Sequence, residues 1–213
     1  MTTQDQAPLL NIANVLTMLR IALVPVFVWF LLLDADAFSG GVTLGGLEAE
    51  HGGWRWAAAG VFAAAMITDK IDGDLARSRN LVTDFGKIAD PIADKMLIGA
   101  GLIMLSLLGE LWWWVTIVIL VRELGITVLR MVMLRTQVMP ASRGGKLKTV
   151  LQSAGLQLML LPLLGFGGAL GATMASVVYP AALAIMLAAA AVTLISGVDY
   201  VINAVRIRRA ARG

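Results

Sequence analysis

The stretch TDKIDGDLARSRNLVTDFGKIADPIADK, residues 68–95, holds six aspartates among lysines and arginines, and the chain on either side of it is apolar. Charge is scarce elsewhere: of 213 residues, 59% are hydrophobic and 15% charged, with a mean hydropathy of +0.83. That is well above the roughly half-apolar usage of soluble domains and predicts an integral membrane protein. Without cysteine there is neither a disulfide framework nor a thiolate metal site. A net charge of +3 gives little basis for a nucleic-acid surface, and no nucleic-acid partner is expected.

Outward from the stretch, apolar segments of about 20 residues are long enough to cross a lipid bilayer. Six qualify: 15–33, 56–77, 86–108, 111–133, 149–170 and 177–201. They use up nearly the whole chain, so 1–213 is expected to be a single all-α membrane domain, a six-transmembrane-helix bundle. The links sort by charge. Asp34, Asp36, Glu48 and Glu50 mark one link, Glu110 another, and 165–171 is glycine-rich and uncharged. Arg77, Arg79 and Lys87, then Arg135, Arg143, Lys146 and Lys148, then Arg206, Arg208, Arg209 and Arg212 fill the others. The positive-inside bias puts these basic links and both termini on the cytoplasmic face of the cell membrane.

Ala35-Asp36-Ala37 resembles a cleavage site, but no Lys or Arg precedes Arg20 and the apolar run is long enough to span, so the first helix is expected to be uncleaved. Leu9, Ile12, Ala13, Leu16 and Leu19 recur at helical spacing, which predicts an N-terminal interfacial amphipathic helix over 9–19. Trp54, Trp56 and Trp112 to Trp114 read as an aromatic belt at the outer surface, and the methionines as core filler. His51 stands alone in the acidic outer link, with no sequence neighbour to make it a ligand or a catalyst.

Asp69 and Asp72 lie three residues apart and Asp90 and Asp94 four, so each pair shares one helix face. A short link makes the second and third spans antiparallel neighbours and sets four carboxylates in one pocket at the membrane boundary. Bare, that pocket is untenable: one carboxylate in a span costs about 2.5–3.5 kcal/mol on insertion scales, and like charges repel. A cation must compensate. Oxygen-only donors favour Mg²⁺ or Mn²⁺, and four carboxylates suit two such ions about 4 Å apart, a clamp for a phosphate or diphosphate. Gly73 and Ala76 strip one helix face beside them, Gly86 opens space one turn before Asp90, and Arg77 offers a fork for phosphate oxygens. The bland alternative is a solvated helix end paired with Arg77, Arg79, Lys87 and Lys95. It suits Asp74 and Asp84, but not four carboxylates at paired helical spacing with small residues between them.

The pattern Asp69-x2-Asp72-Gly73-x2-Ala76-Arg77-x8-Gly86-x3-Asp90-x3-Asp94 resembles the signature of the CDP-alcohol phosphotransferase family at every fixed position. Chance agreement in a chain this long is on the order of 10⁻⁷ or less. The resemblance implies a six-helix membrane fold, homodimeric, with two metal ions holding the diphosphate of a CDP-linked substrate while an alcohol displaces CMP. It also implies that Asp69, Asp72, Asp90 and Asp94 are ligands of two Mg²⁺ or Mn²⁺ ions and that Asp94 is the base. Asp69, Gly73, Ala76 and Arg77 would border the CDP-lipid. Asn11-Ile-Ala-Asn14-Val-Leu-Thr17-Met-Leu-Arg20 with Pro25, Arg122-Glu123, and Gly145-Lys146-Leu-Lys148-Thr149-x2-Gln152 look like the branch that joins sn-glycerol 3-phosphate to CDP-diacylglycerol. Lys70 and Asp74 stand where that branch commonly holds aromatic residues, a departure that touches the nucleotide pocket and not the metal positions.

An anionic acceptor also follows from charge. Arg122 lies in an apolar span, and Glu123 points about 100° away round the helix, so another partner is expected for the guanidinium. Arg143, Lys146 and Lys148 approach the same level and with Arg122 form a basic cavity beside the acidic one, which suits glycerol 3-phosphate. Alternatively Lys146 and Lys148 anchor on anionic lipid headgroups, the reading preferred for the C-terminal arginines. The rival acceptors are inositol phosphate and phosphatidylglycerol, the latter giving cardiolipin. The rival class is a divalent-cation transporter, against which the chain shows no second DxxDG copy.

Overall fold

A computed structural model describes residues 11–37, 47, 49–78, 84–133 and 143–210. Within its helices the side chains of 13, 70, 72–78, 84–88, 90–91, 130–133, 143–146, 203–205 and 207–210 lie outside the description. The described residues form α1 Ile12–Asp34, α2 Gly53–Ser78, α3 Asp84–Leu107, α4 Trp113–Met133, α5 Arg143–Leu160, a 3₁₀ turn Leu163–Phe166, and α6 Gly168–Ala210. No strand occurs among them. Among the described residues three segments are long and apolar enough to cross a membrane: Asn14–Asp34, Leu147–Phe166 and Gly168–Ile202. At 26, 24 and 21 residues, α2, α3 and α4 reach about 30–40 Å and so match a bilayer core in length. They also carry acidic and basic residues, which lowers their hydropathy.

The N-terminus departs from the expected interfacial helix. α1 begins with Asn11 as N-cap, its side-chain oxygen accepting from the Asn14 N–H at 2.9 Å, and it runs unbroken to Asp34. Asn11, Asn14, Thr17 and Arg20 recur every third residue and are at most 6% exposed, whereas Ile12, Val15, Met18 and Leu19 are 45–56% exposed. An interfacial helix turns its polar face to water. Here the polar face turns to protein and the apolar face outward, so 12–19 is the start of the first long helix; residues 9 and 10 lie outside the described residues.

The fifth element was expected over 149–170, but α5 stops at Leu160. Pro162 cannot donate to the helix and disfavours helical backbone at Leu161. The last carbonyls of α5 are instead capped from α2: Arg55 donates Nε–H to Leu160 O at 3.3 Å and Nη2–H to Met159 O at 3.1 Å. The connection then turns through Gly167 (φ 66°) and Gly168 (φ 59°), a left-handed backbone open to glycine. At Gly165 a Cβ would fall 2.1 Å from the His51 carbonyl oxygen, so the two links can pass only because it is a glycine. α6 was expected over 177–201 and instead spans 43 residues through Pro180, about 65 Å and well beyond the roughly 30 Å of a bilayer core.

α1 lies along both α2 and α3, which among the described residues meet α1 more extensively than each other; α5 pairs with α6, and α4 leans on α6. The expected direct confrontation of α2 and α3 is therefore mediated in part by α1. Phe27, Leu31, Phe62, Leu97, Leu102, Leu105, Ile119, Leu156, Leu160 and Met186 are fully buried where these helices meet, with the Phe27 and Phe62 rings 5.5 Å apart.

The end of the bundle holding Glu110 is knotted by polar groups. Arg55, fully buried, pairs with Glu110. His51 is not isolated: its Nε2 lies 3.8 Å from Glu110 Oε1 and its Nδ1 3.3 Å from the Tyr179 hydroxyl, which donates to Leu161 O at 2.8 Å. Asp34 Oδ1 accepts the Gly52 N–H at 2.9 Å. Around this knot Trp54 stacks on Phe30, Trp56 meets the edge of Phe166, and Trp112 stacks on Trp114. Burial pushes the Glu110 carboxyl up, and Arg55 pulls it part of the way back. Burial and then the Arg55 charge hold the His51 imidazole below its ordinary 6.5, with Asp34 offsetting part of this.

Two outcomes follow for this end. Arg55→Ala leaves Glu110 without its cation and two helix carbonyls without donors, and should cost about 3 kcal/mol in denaturant unfolding of the detergent-solubilised protein; a loss under about 1 kcal/mol would contradict the capping role. His51 has a depressed folded pKa, so its contribution is present above its unfolded value and lost as pH falls through the lowered one. The melting temperature should therefore drop between about pH 7.5 and about pH 5, and drop less in His51→Gln. Parallel curves would remove His51 as the cause.

Candidate active site

At the other end, Asp69 on α2 meets Arg20 on α1: Arg20 Nη1 lies 2.5 Å from Asp69 Oδ1, with the guanidinium fully buried and the carboxylate 39% exposed. A guanidinium inside an apolar helix is tolerable only when paired. Sequence reading did not place Arg20 in the site, although its being the single basic residue of α1 was a usable signal. Asp94 on α3 is half-buried and lies within electrostatic reach of Asp69, Arg20, Glu123 and Lys148. Two of the four signature carboxylates, from different helices, are thus brought together.

The other two are placed by backbone alone. Asp72, Gly73, Ala76 and Arg77 occupy the last turns of α2, and Asp90 sits one turn before Asp94 on α3; their side chains lie outside the described residues. No cluster of three or more metal-donor side chains occurs among the described residues. What is described nonetheless fits a hard divalent cation: the donors are all oxygen, no His or Cys intrudes, and a carboxylate with one oxygen on Arg20 keeps a second for a metal.

The basic half adjoins the acidic one. Arg122 on α4 donates Nε–H to Thr193 O at 3.0 Å, Nη2–H to Ser196 Oγ at 2.8 Å and Nη1–H to Glu123 Oε1 at 3.1 Å. The partner expected elsewhere is therefore present on α6. Glu123 also reaches Arg122, although the two point about 100° apart, because both side chains are long enough to bend back. Lys148 at the start of α5 pairs with the same Glu123 oxygen and is 9% exposed. It faces the protein interior, so the headgroup-anchor alternative does not describe it. Gln152, one turn further, donates to Thr193 Oγ1 at 3.2 Å. Thr127 bonds back to Glu123 O at 2.7 Å and accepts from Lys95. Arg143 and Lys146 begin α5, with side chains outside the described residues.

Two cations share the single Glu123 carboxylate, which leaves this half net positive beside a half rich in carboxylate. The charges of such a junction suit a cation-bound polyphosphate on one side and a free anion on the other.

Residues 10–195 match the CDP-alcohol phosphatidyltransferase family. A Mycobacterium tuberculosis (strain ATCC 25618 / H37Rv) protein named "Probable phosphatidylglycerophosphate synthase" is 47% identical over 201 residues, 94% of this chain and 85% of its own length. A Bacillus subtilis (strain 168) protein named "CDP-diacylglycerol--glycerol-3-phosphate 3-phosphatidyltransferase" is 40% identical over 157 residues, covering 73% and 79% of the two chains. A Rickettsia typhi protein of that same name is 37% identical over 158 residues, 74% and 80% of the two chains. With the match running from the N-cap of α1 into α6 as far as residue 195, the chain belongs to the CDP-alcohol phosphatidyltransferase family.

Proposed function

We propose that the protein transfers the phosphatidyl group of CDP-diacylglycerol to sn-glycerol 3-phosphate, giving phosphatidylglycerophosphate and CMP. The observation that carries this reading is the junction of two opposite fields, Asp69 and Asp94 with Arg20 on one side and Arg122 and Lys148 around Glu123 on the other. The printed names of the Mycobacterium tuberculosis and Bacillus subtilis relatives support the same reaction.

Asp69, Asp72, Asp90 and Asp94 would hold two Mg²⁺ or Mn²⁺ ions, which when bound neutralise the diphosphate. Gly73, Ala76 and Arg77 would border the CDP moiety. Arg122 and Lys148, joined by Arg143 and Lys146 at the start of α5, hold the acceptor's phosphate. Asp94 takes the proton of the acceptor hydroxyl as its oxygen bonds to the phosphatidyl phosphorus. The P–O bond to CMP breaks, and CMP leaves with the electron pair.

In the same reading all six α-helices cross the cell membrane within one domain, the aspartate end and both termini face the cytoplasm, and two copies associate as a homodimer. Ile117, Val121, Leu124 and Val128 form a stripe along α4 that is 53–65% exposed; apolar surface of this extent requires lipid or a second copy.

The test is CMP release from CDP-diacylglycerol by purified protein, with and without glycerol 3-phosphate and divalent ion. Release should require both, and Asp94→Asn should lower it by at least about 10²-fold while the helices remain folded by circular dichroism. Near-normal rates in the variant would remove Asp94 as the base. Turnover with inositol phosphate or phosphatidylglycerol but not with glycerol 3-phosphate would overturn the acceptor.

A further inference from the structure

The Arg122 guanidinium is held by the last helix, at a place outside the aspartate signature. Thr193, Ser196 and Gly197 fall on one face of α6, three and four residues apart. Thr193 supplies its carbonyl to Arg122 Nε and Ser196 its hydroxyl to Nη2. Ser196 also donates to Thr193 O at 3.1 Å, and the Thr193 hydroxyl takes Gln152 from α5. In a helix each side chain leans over the turn preceding it, so the residue at 197 would ordinarily cover the Thr193 carbonyl. Glycine leaves that carbonyl open. A Cβ at 197 would lie 3.1 Å from Arg122 Cγ and 3.2 Å from Nε, so Arg122 would have to give by a few tenths of an ångström.

The rest of the basic half depends on that placement. Glu123 bonds Arg122 through the same oxygen that takes Lys148, so the three charged groups form one chain anchored on α6. A guanidinium has five N–H groups, of which three are engaged on Thr193, Ser196 and Glu123. Among the described residues no further bond takes the remainder of the fork, which the three fixed N–H groups aim at an anion.

We propose that Ser196 and Gly197 are positioning residues that set Arg122, and through it Glu123 and Lys148, for the acceptor's phosphate. This rests on the proposed reaction. They act on the acceptor and not on the CDP-lipid, because among the described residues their bonds run to Arg122 and through it to Glu123 and Lys148.

The experiment measures kcat and the KM of each substrate by CMP release from full-length protein in nanodiscs, with thermal unfolding alongside. Gly197→Val and Gly197→Ala should raise the KM for glycerol 3-phosphate, by about tenfold and by less, with the KM for CDP-diacylglycerol changed by under about twofold. Ser196→Ala should raise the acceptor KM by about three- to fivefold, and Ser196→Thr, which keeps the hydroxyl, should restore it. A merely structural role would move both KM values, or only the melting temperature, and would overturn the proposal. So would an unchanged acceptor KM in all four variants. If wild type releases no CMP on addition of glycerol 3-phosphate, the proposed reaction fails and this inference fails with it. Wild-type turnover with unaffected variants removes only the role of α6.

Discussion

The fully buried Arg20 guanidinium, paired with Asp69, is the constraint on which the aspartate end depends. The Arg20 guanidinium has no access to solvent, so the fold must keep Asp69 beside it; removing one member of such a pair typically costs about 3–5 kcal/mol. Meeting that demand rotates α1 so that Asn11, Asn14, Thr17 and Arg20 face inward. It also brings α1 against α2, which carries the first two signature aspartates, and the same helix lies along α3, which carries the others. One interhelical ion pair therefore sets the orientation of a helix and the position of a carboxylate.

The same device recurs elsewhere in the chain. Arg55 on α2 ties Glu110 and the last carbonyls of α5, and Arg122 on α4 ties Glu123 and two groups of α6. In lipid, burying apolar side chains against one another gains little over burying them in acyl chains, so directional polar bonds carry much of the specificity of helix packing. Arginine suits this use because its planar fork serves several acceptors at once. The apolar middle, from Phe27 and Phe62 to Met186, fills the space between two polar layers whose chemistry differs: one knots links together, the other gathers acidic and basic groups side by side.

Much of the bundle was legible in the sequence because the spanning signal is strong. The bounds of α2, α3 and α4 fall within three residues of those expected from apolar runs alone. Reading weakened where local rules compete. Pro162 and the glycines after it end α5 early and start α6 early, inside what reads as continuous apolar sequence. Residues 9–19 misled for a different reason: periodicity shows that a helix has two faces, but not which of them meets lipid. The spacing of Asp69, Asp72, Asp90 and Asp94 was readable because three- and four-residue intervals are local, and the structure brings Asp69 and Asp94 of that set together. The partner of Arg20, the roles of Ser196 and Gly197 and the partners of His51 were not legible, since each depends on a contact between residues distant in the chain.

The most direct test of the account is Mn²⁺ binding to the purified chain in nanodiscs, followed by electron paramagnetic resonance, in wild type, Asp69→Asn and Arg20→Gln. If Arg20 and the aspartates form one hard-cation site, wild type should bind two ions per chain, and both variants should bind with affinity lowered by at least about tenfold while helical content is retained. Absence of bound Mn²⁺ in wild type, or the same affinity in all three proteins, would contradict it.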